Sequence, residues 1–313
     1  MIDLQGKLIS VLMGGPGNER EVSLKTAESV AHALRQLGAD VHEIDVRGPD
    51  FVLPAQTWIA FNLIHGTFGE DGQLQAILEQ RGVPYTGAGS RGSRIAFDKA
   101  LTKERFVAAG VPTPQSEIYE LNRGQPPRTG MPLVSKPPRE GSSVGVSICH
   151  TPEDWAKALE QARQYGSHTL IEQFIQGREL TVGILGKQVL PIIHIEPVDG
   201  FYDIHNKYPW MAGKGKTLYH CPAELSPEVT QRVQEVALQA FQSCGEDLIY
   251  GRVDVMLRQG DDAPFVLEIN TIPGMTSSSL LPKAAAAAGI DFQNLCLRII
   301  EGSLASRPGL RPA

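Results

Sequence analysis

Two short segments near the C-terminal end carry oxygen ligands at strand spacing: RVDVML at 252–257 and FVLEIN at 265–270. Side chains alternate faces along a strand, so Arg252 shares a face with Asp254, and Glu268 shares one with Asn270. On adjacent strands, two carboxylates and an amide oxygen would converge on one point. Such an all-oxygen set suits Mg²⁺, which takes carboxylates plus substrate phosphates rather than a full protein cage. Arg252 is odd in a core but useful against a developing negative charge. The competing reading is a hairpin with Asp254 and Glu268 on a solvated outer face. Against it stand the apolar alternate positions Val253, Val255, Leu267 and Ile269. The run TIPGMTSSSL at 271–280 adds to this: a tight Pro273-Gly274 turn leads through hydroxyls into a helix. Backbone N–H groups there can cradle an oxyanion or a carboxylate.

Three further segments have chemical potential. SKPPREGSSVGVS at 135–147 puts Lys136 at a strand end, before a Gly- and Ser-rich turn, as a phosphate-covering hairpin would. It is not a Walker A loop, because the GxxxxGK[ST] order is absent, and a plain polar hairpin is the alternative. GGPGNEREVSL at 14–24 sits where a first strand meets a helix but lacks GxGxxG spacing. A turn rich in acid suits pyrophosphate poorly, so Glu19 is a better partner for a substrate ammonium. Acids favoured by the helix dipole are the bland alternative. HGTFGEDGQLQ at 65–75 follows a strand and precedes a helix, a place where ligands bind in parallel sheets. His65 there is either a structural histidine or a substrate contact.

The elements that must hold these groups alternate. Strands are predicted at 8–13, 41–46 and 58–64, with helices from Ser23 to near Gly38 and at 74–80, which argues for a parallel, doubly wound sheet. A second unit begins near Asp98 with a helix at 99–109, strands at 133–136, 144–149 and 169–174, and a helix opened by Thr151-Pro152. From Glu179 the pattern becomes hairpin-like, with strands at 180–185 and 189–195, a polar stretch at 199–216, and a long helix from Ser226 to about Cys244. The metal-bearing strands and two closing helical segments, at 281–288 and 292–300, complete the chain. The tail after Gly302 reads as frayed. The expected class is α/β, becoming α+β in the C-terminal part.

Composition sets limits. The 313 residues allow two or three domains. The formal net charge of -6 argues against nucleic acid as the main partner, because phosphate neutralisation needs clustered Lys and Arg. Cys149, Cys221, Cys244 and Cys296 are scattered without a CxxC pair, so they read as thiols of a reducing compartment. The apolar run at 8–13 is too short for a signal core, and no stretch approaches bilayer length. A cytoplasmic enzyme with no membrane partner is expected.

Taken in order, GGPGNEREVSL, HGTFGEDG, PYTGAG at Pro84, KPPREGSSVG at Lys136, GRELTVGILG at Gly177 and GRVDVML…EINTIPGMTSSSL at Gly251 resemble the D-alanine–D-alanine ligases of the ATP-grasp superfamily. The resemblance runs from Gly14 to about Ile300. It implies three domains, an N-terminal substrate domain at 1–95, a central ATP-grasp subdomain at 96–178 and a catalytic domain at 179–313. It also implies that Asp254, Glu268 and Asn270 hold two Mg²⁺ ions, for which Mn²⁺ can substitute. Lys99, Lys136 and Lys207 would contact ATP phosphates, while Glu172 and Glu179 would face adenine and ribose. Glu19 would hold the ammonium of the first D-alanine, and Arg252 and the Gly274 N–H would stabilise the oxyanion. Ser279 would bind the second D-alanine carboxylate, and Ser142 and Tyr208 would bond with Glu19 to lock a closed loop. The family also suggests a homodimer and a role in peptidoglycan synthesis.

Two departures stand out. YDIHNKYPWMAGKGKT at 202–217 has His205-Asn206 where an acidic-aromatic pattern is usual, in the loop that governs the second substrate. Ser135 replaces a usual apolar residue and Pro138 a usual small one. The rival readings are another ATP-grasp ligase of the D-Ala–D-Ser or D-Ala–D-Lac type, and a non-catalytic nucleotide-binding protein. Retention of Arg252, Asp254, Glu268 and Asn270 speaks against the latter.

Overall fold

The structure is a computed structural model that describes residues 2–141, 143–198 and 217–310. Three of the residues singled out above, Ser142, Lys207 and Tyr208, lie outside the described residues, as does the departure at His205-Asn206. The α/β expectation holds: a parallel sheet comes first and two antiparallel sheets follow.

In the first sheet β1 (Leu8–Gly14) lies between β2 (Asp40–Val46) and β3 (Ile59–Asn62), parallel to both. Helix α1 (Arg20–Gln36) makes the crossover from β1 to β2 and buries Ala27, Val30, Ala31 and Leu34. The next connection passes to the other side of β1, so the loops after β1 and β3 diverge at their carboxyl ends. A crevice opens there, and Glu19 and His65 stand on its two lips. Helices α2 (Gln73–Gln80), α3 (Ser90–Phe97) and α4 (Lys99–Ala108) lead away from this sheet.

The second sheet has the order β4-β7-β5-β6, from β4 (Ser116–Glu120), β5 (Leu133–Lys136), β6 (Ser147–Cys149) and β7 (His168–Gln173). Helix α5 (Pro152–Ala162) covers it with Trp155 and Ala158, and starts on a reciprocal box between Thr151 and Asp154. The third sheet runs β11-β10-β8-β12-β13, from β8 (Gly177–Leu185), β10 (Ile193–Pro197), β11 (Thr217–His220), β12 (Tyr250–Arg258) and β13 (Pro264–Asn270). A two-residue strand β9 (Gln188–Val189) pairs beside β8. One face of the third sheet packs on α6 (Pro227–Ser243) through Val229, Val233, Ala237 and Phe241. The two closing helices, α7 (Leu280–Ala287) and α8 (Phe292–Ser306), instead join the apolar core of β1 and α1.

The structure corrects several expectations. The tail is not frayed after Gly302: α8 runs on to Ser306, and Arg307 donates to the carbonyls of Tyr85, at 2.7 Å, and Gly87. Low hydrophobicity hid this, because the anchor is a guanidinium over the Tyr85 ring rather than an apolar side chain. The predicted strand at 144–149 shrinks to Ser147–Cys149, since Ser143 and Gly145 take positive φ and turn the chain. The strand at 189–195 is broken near Pro191, which lacks a ladder donor. Strands β4 and β11 and helix α3 went unpredicted. The four cysteines are free thiols.

Candidate active site

The β12–β13 ladder sets Asp254 directly opposite Glu268, and Arg252 opposite Asn270, so all four share one sheet face. Thr181 on β8 joins this face and donates to Asp254 Oδ1 at 2.6 Å. Asp254 is only 3% exposed. Arg252 grips it through Nε to Oδ1 at 3.0 Å and through a terminal nitrogen to Oδ2 at 2.9 Å. Lys99 Nζ lies 3.2 Å from Glu268 Oε2 and donates to the Glu140 carbonyl at 2.6 Å. Asn270 Oδ1 accepts the Ile272 N–H at 3.0 Å and keeps a second lone pair. A solvated outer face for this pair is therefore excluded, because Asp254 is buried and both carboxylates carry cationic partners.

These groups border two adjoining cavities that share Lys99, Glu140 and Glu268. The larger, about 270 Å³, is lined by Glu19, His65, Arg252, Asn270, Gly274 and Ser279. The smaller, about 150 Å³, is lined by Lys136, Glu172, Glu179 and Asp254, with apolar walls from Ile148, Phe174, Met256 and Leu267. One cavity is thus polar and bears opposite charges, while the other offers apolar walls to a flat ring beside lysines. Every predicted site residue within the described segments lines one or both.

On the polar side, Glu19 precedes the first turn of α1 but does not cap it with its side chain. Its carboxylate lies between the His65 loop and the Gly-rich hairpin. A Cβ on Gly66 would come within 2.8 Å of Glu19 Oε2, and one on Gly141 within 2.6 Å. His65 is buried, 3.7 Å from Glu70 Oε1 through Nδ1 and 3.4 Å from Thr26 Oγ1 through Nε2. Burial works against its charge, but the Glu70 carboxylate and the charge of Glu19 outweigh that and raise its pKa. Glu70 is itself raised, by burial first and then by Glu19, against the pull of His65. Glu140 is raised by burial and by Glu19. Across the cavity, the Ser279 hydroxyl accepts the Thr276 N–H at 3.0 Å and leaves the α7 N-terminus without a side-chain cap. Unpaired N–H groups at a helix start favour an anion.

On the lysine side, the Glu172 carboxylate is 2% exposed and faces two ammonium groups: Lys103 Nζ 2.7 Å from Oε1 and Lys136 Nζ 2.7 Å from Oε2. The Lys103 contact is ionic rather than a well-aligned hydrogen bond, since Oε1 lacks one. Burial pushes Lys103 down to about 8, with Lys136 adding to the shift and Glu172 opposing it. Glu172 stays below its ordinary pKa because the lysines outweigh burial. Each of its oxygens thus faces one lysine in the wall of the smaller cavity. Lys103 and Glu70 were missed from sequence. Both had a signal: Lys103 stands one helical turn after Lys99, and Glu70 lies within the same HGTFGED loop as His65.

The donor set of Asp254, Glu268 and Asn270 is oxygen only, on neighbouring strands, with Arg252 and Lys99 balancing the carboxylates. That chemistry fits a hard dication that shares phosphate oxygens. An ATP-grasp ligase is the class that joins this fold to such a site: antiparallel sheets around a lysine-bearing cavity, opening onto an acid- and hydroxyl-lined one. The model of the D-ala D-ala ligase C-terminus matches residues 107–301, and that of the D-ala D-ala ligase N-terminus matches 50–88. A D-alanine–D-alanine ligase from Methylacidiphilum infernorum (isolate V4) is 45% identical over 293 residues, covering 94% of each chain. The crystal structure of D-alanine–D-alanine ligase from Bacillus anthracis superposes with a TM-score of 0.84 at 33% identity, covering 97% of this chain and 99% of that one. The same enzyme complexed with ATP gives 0.81 at 32% identity, with the same coverage. The chain belongs to the D-alanine–D-alanine ligase family.

Proposed function

We propose that this chain uses ATP to join two D-alanine molecules, making D-alanyl-D-alanine for peptidoglycan. The observation that carries this reading is the single sheet face on which Asp254, Glu268 and Asn270 meet, at the junction of the two cavities. ATP occupies the smaller cavity, its base against Phe174 and Met256 and its phosphates toward Lys99 and Lys136. Lys207 lies beyond the described residues but joins them by the family resemblance. Glu179 takes the ribose, and Glu172 acts through the two lysines it holds. Asp254, Glu268 and Asn270 would hold two Mg²⁺, whose chemistry there would be to spread the negative charge of phosphoryl transfer, an effect of several kcal/mol.

The amino acids occupy the larger cavity. Glu19 takes the ammonium of the first D-alanine, whose carboxylate then faces the nucleotide. A carboxylate is a poor electrophile, so its oxygen first takes the γ-phosphoryl group from ATP, with ADP as the leaving group, and it becomes an acyl phosphate. The second amine, once deprotonated, attacks this carbonyl; Arg252 with the Gly274 N–H steadies the oxyanion that forms, and its collapse breaks the acyl C–O bond, leaving the peptide and free inorganic phosphate. Ser279 and the start of α7 receive the second carboxylate. Acyl phosphates hydrolyse readily, so water must be kept out. Ser142 and Tyr208 bonding with Glu19 would close the site, a part of the proposal that rests on resemblance alone. The same resemblance supports three domains at 1–95, 96–178 and 179–313, a homodimer, and a cytoplasmic location. No helix among the described residues is long and apolar enough to cross a membrane.

The test is ATP-dependent phosphate release with D-alanine alone, set against D-alanine plus D-serine or D-lactate. Full turnover with D-alanine as sole amino acid is expected. Turnover only in a mixture would move the reading to a D-Ala–D-Ser or D-Ala–D-Lac ligase while leaving the nucleotide chemistry in place.

A further inference from the structure

Outside the two cavities, two imidazoles and a carboxylate meet on the third sheet. His194 on β10 and His220 on β11 are direct cross-strand partners, and Glu196 lies two residues along β10 on the same face. One ligand atom from each lies within 4.8 Å of the others. The His194 and His220 rings stack at 5.4 Å, with planes 27° apart. His220 Nε2 lies 2.8 Å from Glu196 Oε2. This face is not the catalytic one. His194 pairs with Leu180 and Leu180 with Val255, whereas Thr181, the neighbour of Leu180, pairs with Asp254. Successive residues point to opposite faces, so the sheet separates the two clusters.

We propose that His194, Glu196 and His220 form a binding site for a borderline transition-metal dication of the Zn²⁺ type, distinct from the oxygen-only set at Asp254 and Glu268. Two imidazoles and one carboxylate are an established three-ligand set for zinc, with water in the fourth position. Tetrahedral zinc with ligands at about 2.0–2.1 Å needs ligand atoms about 3.3 Å apart. The observed spacing, from 2.8 Å to at most 4.8 Å, brackets that value, so side-chain rotation suffices. A ligand imidazole must be neutral. The hard dication of the catalytic face prefers oxygen, so nitrogen ligands separate the two ions by chemistry as well as by position. Bound there, the ion cross-links edge strand β11 to β10.

The untagged full chain, stripped with chelator and dialysed against Zn²⁺ in excess Mg²⁺, gives the test by metal analysis and competition with a chromophoric chelator. One Zn²⁺ per chain is expected. His194→Ala and His220→Ala should each weaken it at least about tenfold, while Glu268→Gln leaves it unchanged. X-ray absorption at the zinc edge should show two imidazole nitrogens. Absence of tight Zn²⁺, affinity unchanged from the parent chain in either histidine variant, or loss of the ion in Glu268→Gln would each overturn the proposal. Because these readouts need no ligase turnover, they stand or fall apart from the proposed reaction.

Discussion

Among single residues, Glu172 and Glu268 hold similar charges for different purposes. Glu172 anchors two lysines in a dry site, so its removal strands an uncompensated ammonium. Glu172→Gln should destabilise the fold by about 3–5 kcal/mol, the usual cost of breaking a buried pair, read by denaturant unfolding. Its folded pKa lies below the ordinary 4.5, so the stability it contributes is full above that value and is lost as pH falls through the folded pKa. The variant should therefore show a flatter acid limb. Lys103 has the opposite linkage. Its folded pKa of about 8 lies below the ordinary 10.5, so the unfolded chain holds that proton more tightly. The associated destabilisation is full below about 8 and fades as pH rises toward 10.5. Lys136→Met removes a repelling charge and should move Lys103 upward from about 8 in side-chain NMR titration. A downward move would show that Lys136 does not repel the Lys103 charge. At Glu268, substitution by Gln should abolish turnover with little change in melting temperature. Unchanged turnover would remove it from the proposed metal set.

At the scale of elements, backbone crowding decides what the loops tolerate. A Cβ on Gly69 would lie 1.9 Å from the Ile64 carbonyl oxygen, backbone against backbone. Gly69→Ala should unfold or rearrange the His65 loop, costing more than about 1–3 kcal/mol. Gly141 differs, since its added Cβ meets the Glu19 carboxylate rather than backbone. Gly141→Ala should leave thermal stability nearly unchanged while raising KM for the first amino acid. An unaltered KM would mean that Glu19 does not face that substrate. Periodicity exposed these elements unevenly. Strand β1 and helix α1 were legible because a buried strand and an amphipathic helix carry their own patterns. The face shared by Asp254 and Glu268 was legible because residues 252–254 and 268–270 alternate, but the register slip beside Asp254 was not, and it turns Leu267 into the smaller cavity rather than to the opposite face. Strand β4 was not, since its sequence SEIYE mixes exposed charges with one buried Tyr119. The Lys103–Glu172–Lys136 cluster could not be read either, because its members come from different elements and meet only through tertiary packing.

On the scale of the whole molecule, the C-terminal helices return to the first sheet. Leu281, Ala285, Leu295 and Ile299 share a core with Val11, Ala27 and Leu34, so the turn carrying Gly274 and Ser279 is held against the loops carrying Glu19 and His65. Arg307 fastens the end of this return to the carbonyls of Tyr85 and Gly87. Arg307→Ala should cost about 1–3 kcal/mol of unfolding free energy, since it strands two acceptors and a cation–π contact. A null effect would return the tail to the frayed state its composition suggested. The central claim is that one sheet face gathers metal, phosphate and reacting carboxylate. A crystal structure with Mg²⁺ and a non-hydrolysable ATP analogue tests it directly. Density for the cations should lie between the phosphates and the side chains of Asp254, Glu268 and Asn270. Nucleotide bound with its phosphates away from that face, or cations held elsewhere, would contradict the account.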